Sequence, residues 1–422
     1  MNTIRYFVLI TSTLLLFSLQ SCTDDDVSDP GNTNNPPIGN VGDTLWIHEI
    51  EGKDSLIIDN SLAIGKDGAV YFSVSGGTLH WTAARIRALN PENGVLLWES
   101  ERLDHIALSS QIVVGDDGTV YAIGFYTLYA LDPISGATLW TWEVPNELPN
   151  PDNPSSNFYV KGQLAGMALT DEGNILTQTS GSGIYNRSIY CINPQGSMLY
   201  YNLNANGWGV ESGISVGKNN TAYYYSRDIN ANNQGLNLVA IDTRDGSIRW
   251  TKEVFATGCS SNNIAVLDNG NLFCAFGESG TTSLKYRVID GTNGMTLWTG
   301  SSVASSCEAK LIGPSGNYYR DHGAHRINAS SGSEELIINV PNSFLTRLSA
   351  INSNARLVTA FDDVDNQRKL GVFYSDGLID FETSVPMSGL EGYNMVISDE
   401  KVIFGIVNET SGSRLPSKIC AI

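Results

Sequence analysis

The sequence predicts an all-β fold, an eight-bladed β-propeller of four-stranded blades whose ring is closed by the N-terminal strand pairing with the C-terminal strand. Three observations predict it: a phrase that recurs along the chain, an independent count of polar turns, and two chain ends that complete each other.

The phrase is an Ala/Val-rich run leading into Asp/Asn-x-x-x-Gly-x-x-x-Trp. It is clearest from Ala88-Leu89-Asn90 through Gly94 to Trp98, from Ala130-Leu131-Asp132 through Gly136 to Trp140, from Ala240-Ile241-Asp242 through Gly246 to Trp250, and from Val288-Ile289-Asp290 through Gly294 to Trp298. It decays elsewhere, so that Cys191-Ile192-Asn193 leads to Tyr200, Arg326-Ile327-Asn328 to Leu336, and Tyr374-Ser375-Asp376 to about Phe381.

A polar turn followed by a β run gives the second count. The turns fall at Asp67-Gly68, Asp117-Gly118, Glu172-Gly173, Asn219-Asn220, Asn269-Gly270, Ser315-Gly316, Asn354-Ala355 and Glu400-Lys401. Short apolar runs precede them, as at Ser61 to Ile64 or Gln111 to Val114, so each unit holds four strands. Units of roughly 40 to 50 residues with four strands are the mark of propeller blades.

The residue types explain the spacing. Asp or Asn opening a turn accepts backbone N–H bonds, Gly takes a positive φ without steric cost, and Trp four residues later fills the gap between twisted neighbouring sheets. The turns join strands and no helix follows them, so they are not phosphate loops.

The chain ends are complementary. Gly42-Asp43-Thr44-Leu45-Trp46-Ile47-His48-Glu49 reads as the outermost strand of a unit lacking its first three, and Lys418-Ile419-Cys420-Ala421-Ile422 reads as a third strand lacking its fourth. Pairing them covers sheet edges that would otherwise stay open.

Over residues 43 to 422 the repeated phrase resembles that of the PQQ-like, quinoprotein-type β-propeller superfamily, and most of all its compact lipoprotein members, such as the propeller scaffold of the outer-membrane barrel-assembly machinery. The resemblance implies a fold and a protein-binding scaffold; a fold does not by itself imply a reaction.

Residues 1–21 read as a lipoprotein signal peptide. Arg5 is followed by an apolar run from Tyr6 to Leu19 and by Leu19-Gln20-Ser21-Cys22, which makes Cys22 the lipidated first residue of the mature chain. The apolar run is shorter than the roughly 20 residues of a membrane span. Residues 22–41 form an acidic and Pro/Asn-rich tether, with Asp24-Asp25-Asp26 beside the lipid and a composition too polar to fold. The acidic residues resemble the export signal of lipoproteins displayed on the outer face of the outer membrane; the periplasmic face is the alternative. Residues 42–422 are the propeller.

The formal charge of −19 excludes nucleic acid as a natural partner and opposes contact with anionic lipid heads. Beyond Cys22 there are Cys191, Cys259, Cys274, Cys307 and Cys420, an odd number, so at least one thiol is unpaired. Cys191, Cys274 and Cys420 sit in β runs and read as core, whereas Cys259 and Cys307 precede successive blades near the axis and are the one candidate bridge. No metal-spaced His/Cys cluster is present.

Long links on one face of the ring are where binding residues are expected. The segments are 76–85, 143–163, 202–212, 226–236, 320–325, 362–369, 383–394 and 408–416, and the candidate ligand or partner residues are His80, Trp81, His105, Tyr159, Trp208, Arg227 with Asp228, Arg320, His322 with His325, Arg368 and Tyr393. Exposed aromatics stack on sugars or anchor protein partners. Asp362-Asp363-Val364-Asp365-Asn366 lacks EF-hand spacing and reads as a hairpin tip. No catalytic triad is legible.

The reading is therefore a non-catalytic envelope lipoprotein that binds outer-membrane or surface proteins, with no cofactor. A surface protein that binds or cleaves glycans is the alternative. A PQQ- and Ca²⁺-dependent dehydrogenase is disfavoured, because the resemblance to such enzymes implies adjacent cysteines over the quinone, and here no two cysteines are neighbours.

Overall fold

A computed structural model describes residues 43–50, 56–57, 62–75, 84–104, 111–150, 153–181, 188–202, 208–210, 213–228, 235–255, 264–276, 285–303, 311–312, 317–320, 325–328, 333–336, 345–351, 356–362, 368–374, 379–384, 395–398, 401–406, 409–410, 413–414 and 418–422. These residues form strands and turns only. Among them are eight antiparallel sheets of four or five strands and two separate two-stranded ribbons. The fold is a β-propeller.

Numbered in chain order, sheet one spans Leu56–Ile57 to Leu96–Glu99, sheet five Ala265–Val266 to Thr296–Val303, sheet six Leu311–Ile312 to Glu334–Leu336, sheet seven Leu345–Ile351 to Ile379–Ser384, and sheet eight Met395–Ile397 to Lys418–Ala421 with Trp46–Glu49. In sheet two the chain runs from Ile112–Val114 to Val120–Ile123, Thr127–Leu131 and Thr138–Glu143, and sheet three repeats this with Gln163–Leu169, Ile175–Ser180, Ile189–Ile192 and Met198–Asn202. Sheet four has its first strand in two pieces, Trp208–Val210 and Ser215–Gly217, followed by Thr221–Asp228, Gly235–Asp242 and Ile248–Phe255. The first strand of each sheet from one to seven touches the first strand of the sheet that follows it in the chain, so these strands line the inner wall.

Buried residues cover both faces of the best-described sheets, which is why their middle strands are apolar almost without interruption. Val120–Ile123, Ile189–Ile192 and Leu272–Phe276 are buried along their whole length, whereas Thr138–Glu143 at the rim is largely exposed. The core lies in the seams between sheets. Tyr121, Leu128, Leu164 and Tyr190 fill the seam between sheets two and three, and Leu176, Cys191, Ala222 and Tyr224 the next. Cys191, Cys274 and Cys420 are fully buried, as their positions in β runs implied. Cys259 and Cys307 lie outside the described residues.

From sheet one to sheet five the aromatic of the phrase closes the seam from outside. Trp98 packs over Gly136 of sheet two, Trp140 over Gly196 of sheet three, Tyr200 over Gly246 of sheet four and Trp250 over Gly294 of sheet five. A Cβ on Gly196 would lie 2.8 Å from Trp140 Cδ2, and this residue already sits at φ +82°, so both space and backbone demand glycine. The indole N–H also finds a partner on the next sheet: Trp98 Nε1 donates to Pro133 O at 2.8 Å, Trp140 Nε1 to Pro194 O at 2.8 Å and Trp250 Nε1 to Gly291 O at 2.9 Å. Tyr200 substitutes its hydroxyl, which donates to Thr243 O at 2.8 Å. The Asp/Asn of the phrase caps its own turn, as when Asp132 Oδ1 accepts the Ile134 and Ser135 amides.

The expected pairing of the chain ends is present. Trp46–Glu49 pairs with Lys418–Ala421, Trp46 opposite Ala421 and Glu49 opposite Lys418, as the fourth strand of sheet eight. Trp46 packs over Gly94 of sheet one and donates to Pro91 O at 2.9 Å; Lys401 Nζ reaches the same carbonyl at 3.0 Å and Glu92 Oε1 at 2.8 Å. Ile403, Ile419 and Ala421 share a core cluster with Val70, Phe72 and Leu89.

Two local departures follow from side-chain chemistry. The turn of sheet four lacks glycine, and Asn219 and Asn220 take φ of 60° and 52°, which Asn tolerates better than other side chains. In the same sheet the buried Asp242 holds Arg244 Nη2 at 2.6 Å and Arg249 Nη2 at 2.7 Å, so its carboxyl is held well below the usual carboxylate range, Arg244 being the largest cause.

Candidate functional site

The best-defined part of the link face lies where sheet two passes to sheet three. Its foundation is the three-residue connection Gly124–Tyr126, whose carbonyls are held by neighbouring links: the Val144 amide donates to Tyr126 O at 2.9 Å and the Leu164 amide to Phe125 O at 2.9 Å. The link arriving from sheet one is fastened beside it. Tyr129 Oη donates to Asp104 Oδ1 and Thr127 Oγ1 to Asp104 Oδ2, each at 2.9 Å. Burial, followed by this carboxylate, pushes the Tyr129 phenol above its ordinary pKa.

On that base stands an element the sequence reading missed. Residues 143–163 are not an irregular loop: Glu147–Asn150 and Asn153–Tyr159 form an antiparallel ribbon, with Glu147 opposite Tyr159, Leu148 opposite Phe158 and Pro149 opposite Asn157. Alternation gives the ribbon two faces. Leu148 and Phe158 turn inward, joining the core between sheets two and three with Val144 and Val160, while Glu147, Pro149, Ser155, Asn157 and Tyr159 turn outward. The apolar pair roots the ribbon, and the outward face displays Tyr159 at 59% exposure.

Charge is arranged beside the tyrosine. Lys161 Nζ lies 2.7 Å from Glu143 Oε1 and 4.7 Å from the centre of the Tyr126 ring, a cation–π position. The bond to Glu143 raises the Lys161 pKa above its ordinary value. Asn157 Nδ2 donates to Glu147 Oε2 at 3.2 Å across the outward face. The arrangement offers contact area, hydrogen-bonding groups and a fixed ammonium, the elements of a recognition surface. Among the described residues no three His, Cys, Asp or Glu side chains converge as metal ligands, and no helix is long and apolar enough to cross a membrane.

Of the candidate residues, the side chains of Tyr159 and His325 are described: Tyr159 is exposed and His325 is half-buried. Trp208, Arg227, Arg320 and Arg368 are corrected from loop to strand positions, because the strands of sheets four, six and seven run further toward the link face than the turn pattern implied. Trp208 pairs with Asp228 and Gly209 with Arg227, which places two candidates on adjacent strands of sheet four. Arg320 pairs with His325 in sheet six and Arg368 with Asp362 in sheet seven, so these are not brought to the ribbon. Cys22, His80, Trp81, His105, His322 and Tyr393 lie outside the described residues. Sequence reasoning missed Asp104, Tyr126, Glu143 and Lys161. The available signal was the turn tract Asn150-Pro151-Asp152-Asn153 flanked by Leu148 and Phe158, a hairpin pattern within a supposed loop.

The described residues do not fit a quinone site built on adjacent cysteines: Cys191, Cys274 and Cys420 are buried in three different sheets. Among solved structures, the quinohemoprotein alcohol dehydrogenase from Comamonas testosteroni is similar, with a TM-score of 0.58 at 10% identity over 90% of this chain and 76% of that one. A catalytically inactive virginiamycin B lyase from Staphylococcus aureus gives a TM-score of 0.44 at 15% identity over 89% of this chain and 98% of that one. At these identities the likeness to the dehydrogenase speaks for the fold alone. No curated protein sequence matches the chain. The sequence profile described as outer membrane protein assembly factor BamB, PQQ_2, matches residues 82–337, more than half of the chain, and the protein belongs to that family.

Proposed function

We propose that the chain is a non-catalytic scaffold of the cell envelope that binds outer-membrane or surface proteins through the link face of its propeller. In this reading residues 1–21 are a signal peptide, Cys22 carries the lipid, residues 22–41 are the tether, and residues 42–422 form a closed ring of eight blades displayed at the outer membrane. Family membership supports an interaction role in general. The observation that carries the reading is the Glu147–Tyr159 ribbon. It roots Leu148 and Phe158 in the core and spends its outward face on exposed Tyr159, Asn157 and Glu147, an expense of ordered residues that stability alone does not require.

Crosslinked affinity purification of the full-length lipoprotein from native outer membranes tests the reading. The expected result is a stoichiometric outer-membrane protein whose recovery falls about tenfold in Tyr159→Ala, with a melting temperature within about 2 °C of the parent, since truncating an exposed anchor costs binding rather than packing. Absence of any such partner overturns the scaffold. The exposed Tyr159 ring beside Asn157 and Glu147 also suits a pyranose; stabilisation of the chain by one polysaccharide in a thermal-shift series, lost in Tyr159→Ala, would select that second reading.

A further inference from the structure

The ribbon has two edges, and they are not alike. The Val160 amide donates to Asn146 O at 2.8 Å, which makes Glu147 opposite Tyr159 a non-hydrogen-bonded pair of the antiparallel ladder. Alternation then makes Leu148 and Phe158 the hydrogen-bonded pair and Pro149 opposite Asn157 another non-bonded one. The backbone N–H and C=O groups of Glu147, Pro149, Asn157 and Tyr159 therefore point away from the ribbon.

On the Glu147–Asn150 side that edge is blocked, because Pro149 has no N–H and its ring occupies the approach. On the Asn153–Tyr159 side Asn157 and Tyr159 each offer a donor and an acceptor two residues apart. Among the described residues no strand pairs with this edge, and both residues are exposed. Proteins ordinarily blunt such edges with proline, charge or a covering element. Here Pro149 guards one edge at the position opposite Asn157, whereas the proline of the other strand, Pro154, and the bonded Ser155 amide both precede Asn157, so the Asn157 and Tyr159 groups stay open beside the exposed Tyr159 ring and the fixed Lys161 ammonium.

We infer that the Asn153–Tyr159 edge takes up an extended segment of a partner protein as a third strand of the ribbon. The occupant is recognised through its backbone at Asn157 and Tyr159, while Tyr159 and Lys161 read alternate side chains along it. A two-stranded ribbon is marginal alone and gains most from a third strand, which gives the partner a structural as well as a binding role. The inference rests on the scaffold reading above and specifies how that scaffold grips.

The test uses the full-length protein with a random linear peptide library as probe, and compares Asn157→Pro, which removes the outward N–H, with Asn157→Ala, which keeps it. The expected result is enrichment of peptides that bind the parent and Asn157→Ala within about twofold of each other and Asn157→Pro at least about tenfold more weakly, the loss of one or more backbone bonds. Hydrogen exchange at the Asn157 and Tyr159 amides of the parent slows on peptide binding, a readout that needs no variant. Failure to enrich any peptide, equal binding to Asn157→Pro, or unprotected amides in the bound state overturns the inference. Protection that grows with protein concentration without peptide assigns the edge to a second copy of this chain and also overturns it. An outer-membrane partner captured equally by the parent and Asn157→Pro removes strand addition and leaves the scaffold standing; no captured partner removes the scaffold, while the peptide result still decides the edge.

Discussion

The seams between sheets one and five and the rim of sheet six are closed by different means. In the former an aromatic ring lies on the glycine of the next turn and donates to its backbone, at Trp98, Trp140, Tyr200 and Trp250. In the latter the corresponding position is Leu336, which is 52% exposed and opposite His325 in the ladder. The contrast teaches that the middle strands are enough to make a sheet, and that docking aromatics close from outside the seams that the buried core fills from within. Tyr200 sharpens the point: when the indole is lost, a side chain with both a flat apolar body and a donor preserves the seam.

The largest way to break the contrast is to remove the strand that brings the same kind of docking aromatic, Trp46, to the chain ends. Deleting residues 43–50 strips Trp46 from Gly94 and leaves Lys418–Ala421 as an open edge; the expected outcome in urea unfolding is a loss of about 5 kcal/mol or more, or of the single cooperative transition. An unchanged midpoint would show that the seam at the chain ends contributes nothing. Next comes Trp98→Ala, expected to cost about 4 kcal/mol as a large buried aromatic with a bonded N–H.

A smaller effect depends on pH. The folded-state pKa of Asp242 is depressed, mainly by Arg244, so its contribution is complete above the unfolded carboxylate value of about 3.9 and is lost as pH falls through the folded value. Asp242→Asn should therefore be less stable than the parent at pH 6, with the gap closing progressively below about pH 4; a gap independent of pH would assign the effect to packing. Smallest is Leu336→Ala, expected within about 0.5 kcal/mol of the parent because the side chain is half exposed. A cost like that of Trp98→Ala would erase the distinction between the two regions.

Most of this frame was legible because each letter of the phrase has a local meaning. Gly94, Gly136 and Gly246 mark positive φ, Asp132 and Asn90 mark a cap, and Trp98 marks a gap to be filled. The binding face was not legible in the same way. The ribbon occurs where the period is broken by Pro149, Pro151 and Pro154, so repetition alone predicts a loop there. The meeting of Lys161 with Tyr126 and Glu143 joins two links through space and leaves no spacing to read. Trp208 and Arg227 were singled out as unusual residues, but that adjacent strands carry them follows from the pairing of sheet four alone.

The position of Trp46 has a mechanical consequence. A load applied to the chain through its N-terminus enters the folded part at the Trp46 end of the first strand, and would peel the Trp46–Ala421 pair before the Glu49–Lys418 pair. That is the end at which the indole is clasped over Gly94 and tied to Pro91, with Lys401 fastening the same carbonyl from the opposite end of the sequence. The strongest fastening of the strand thus sits where tension arrives first, and the molecule meets a pull with its lock rather than with its free edge.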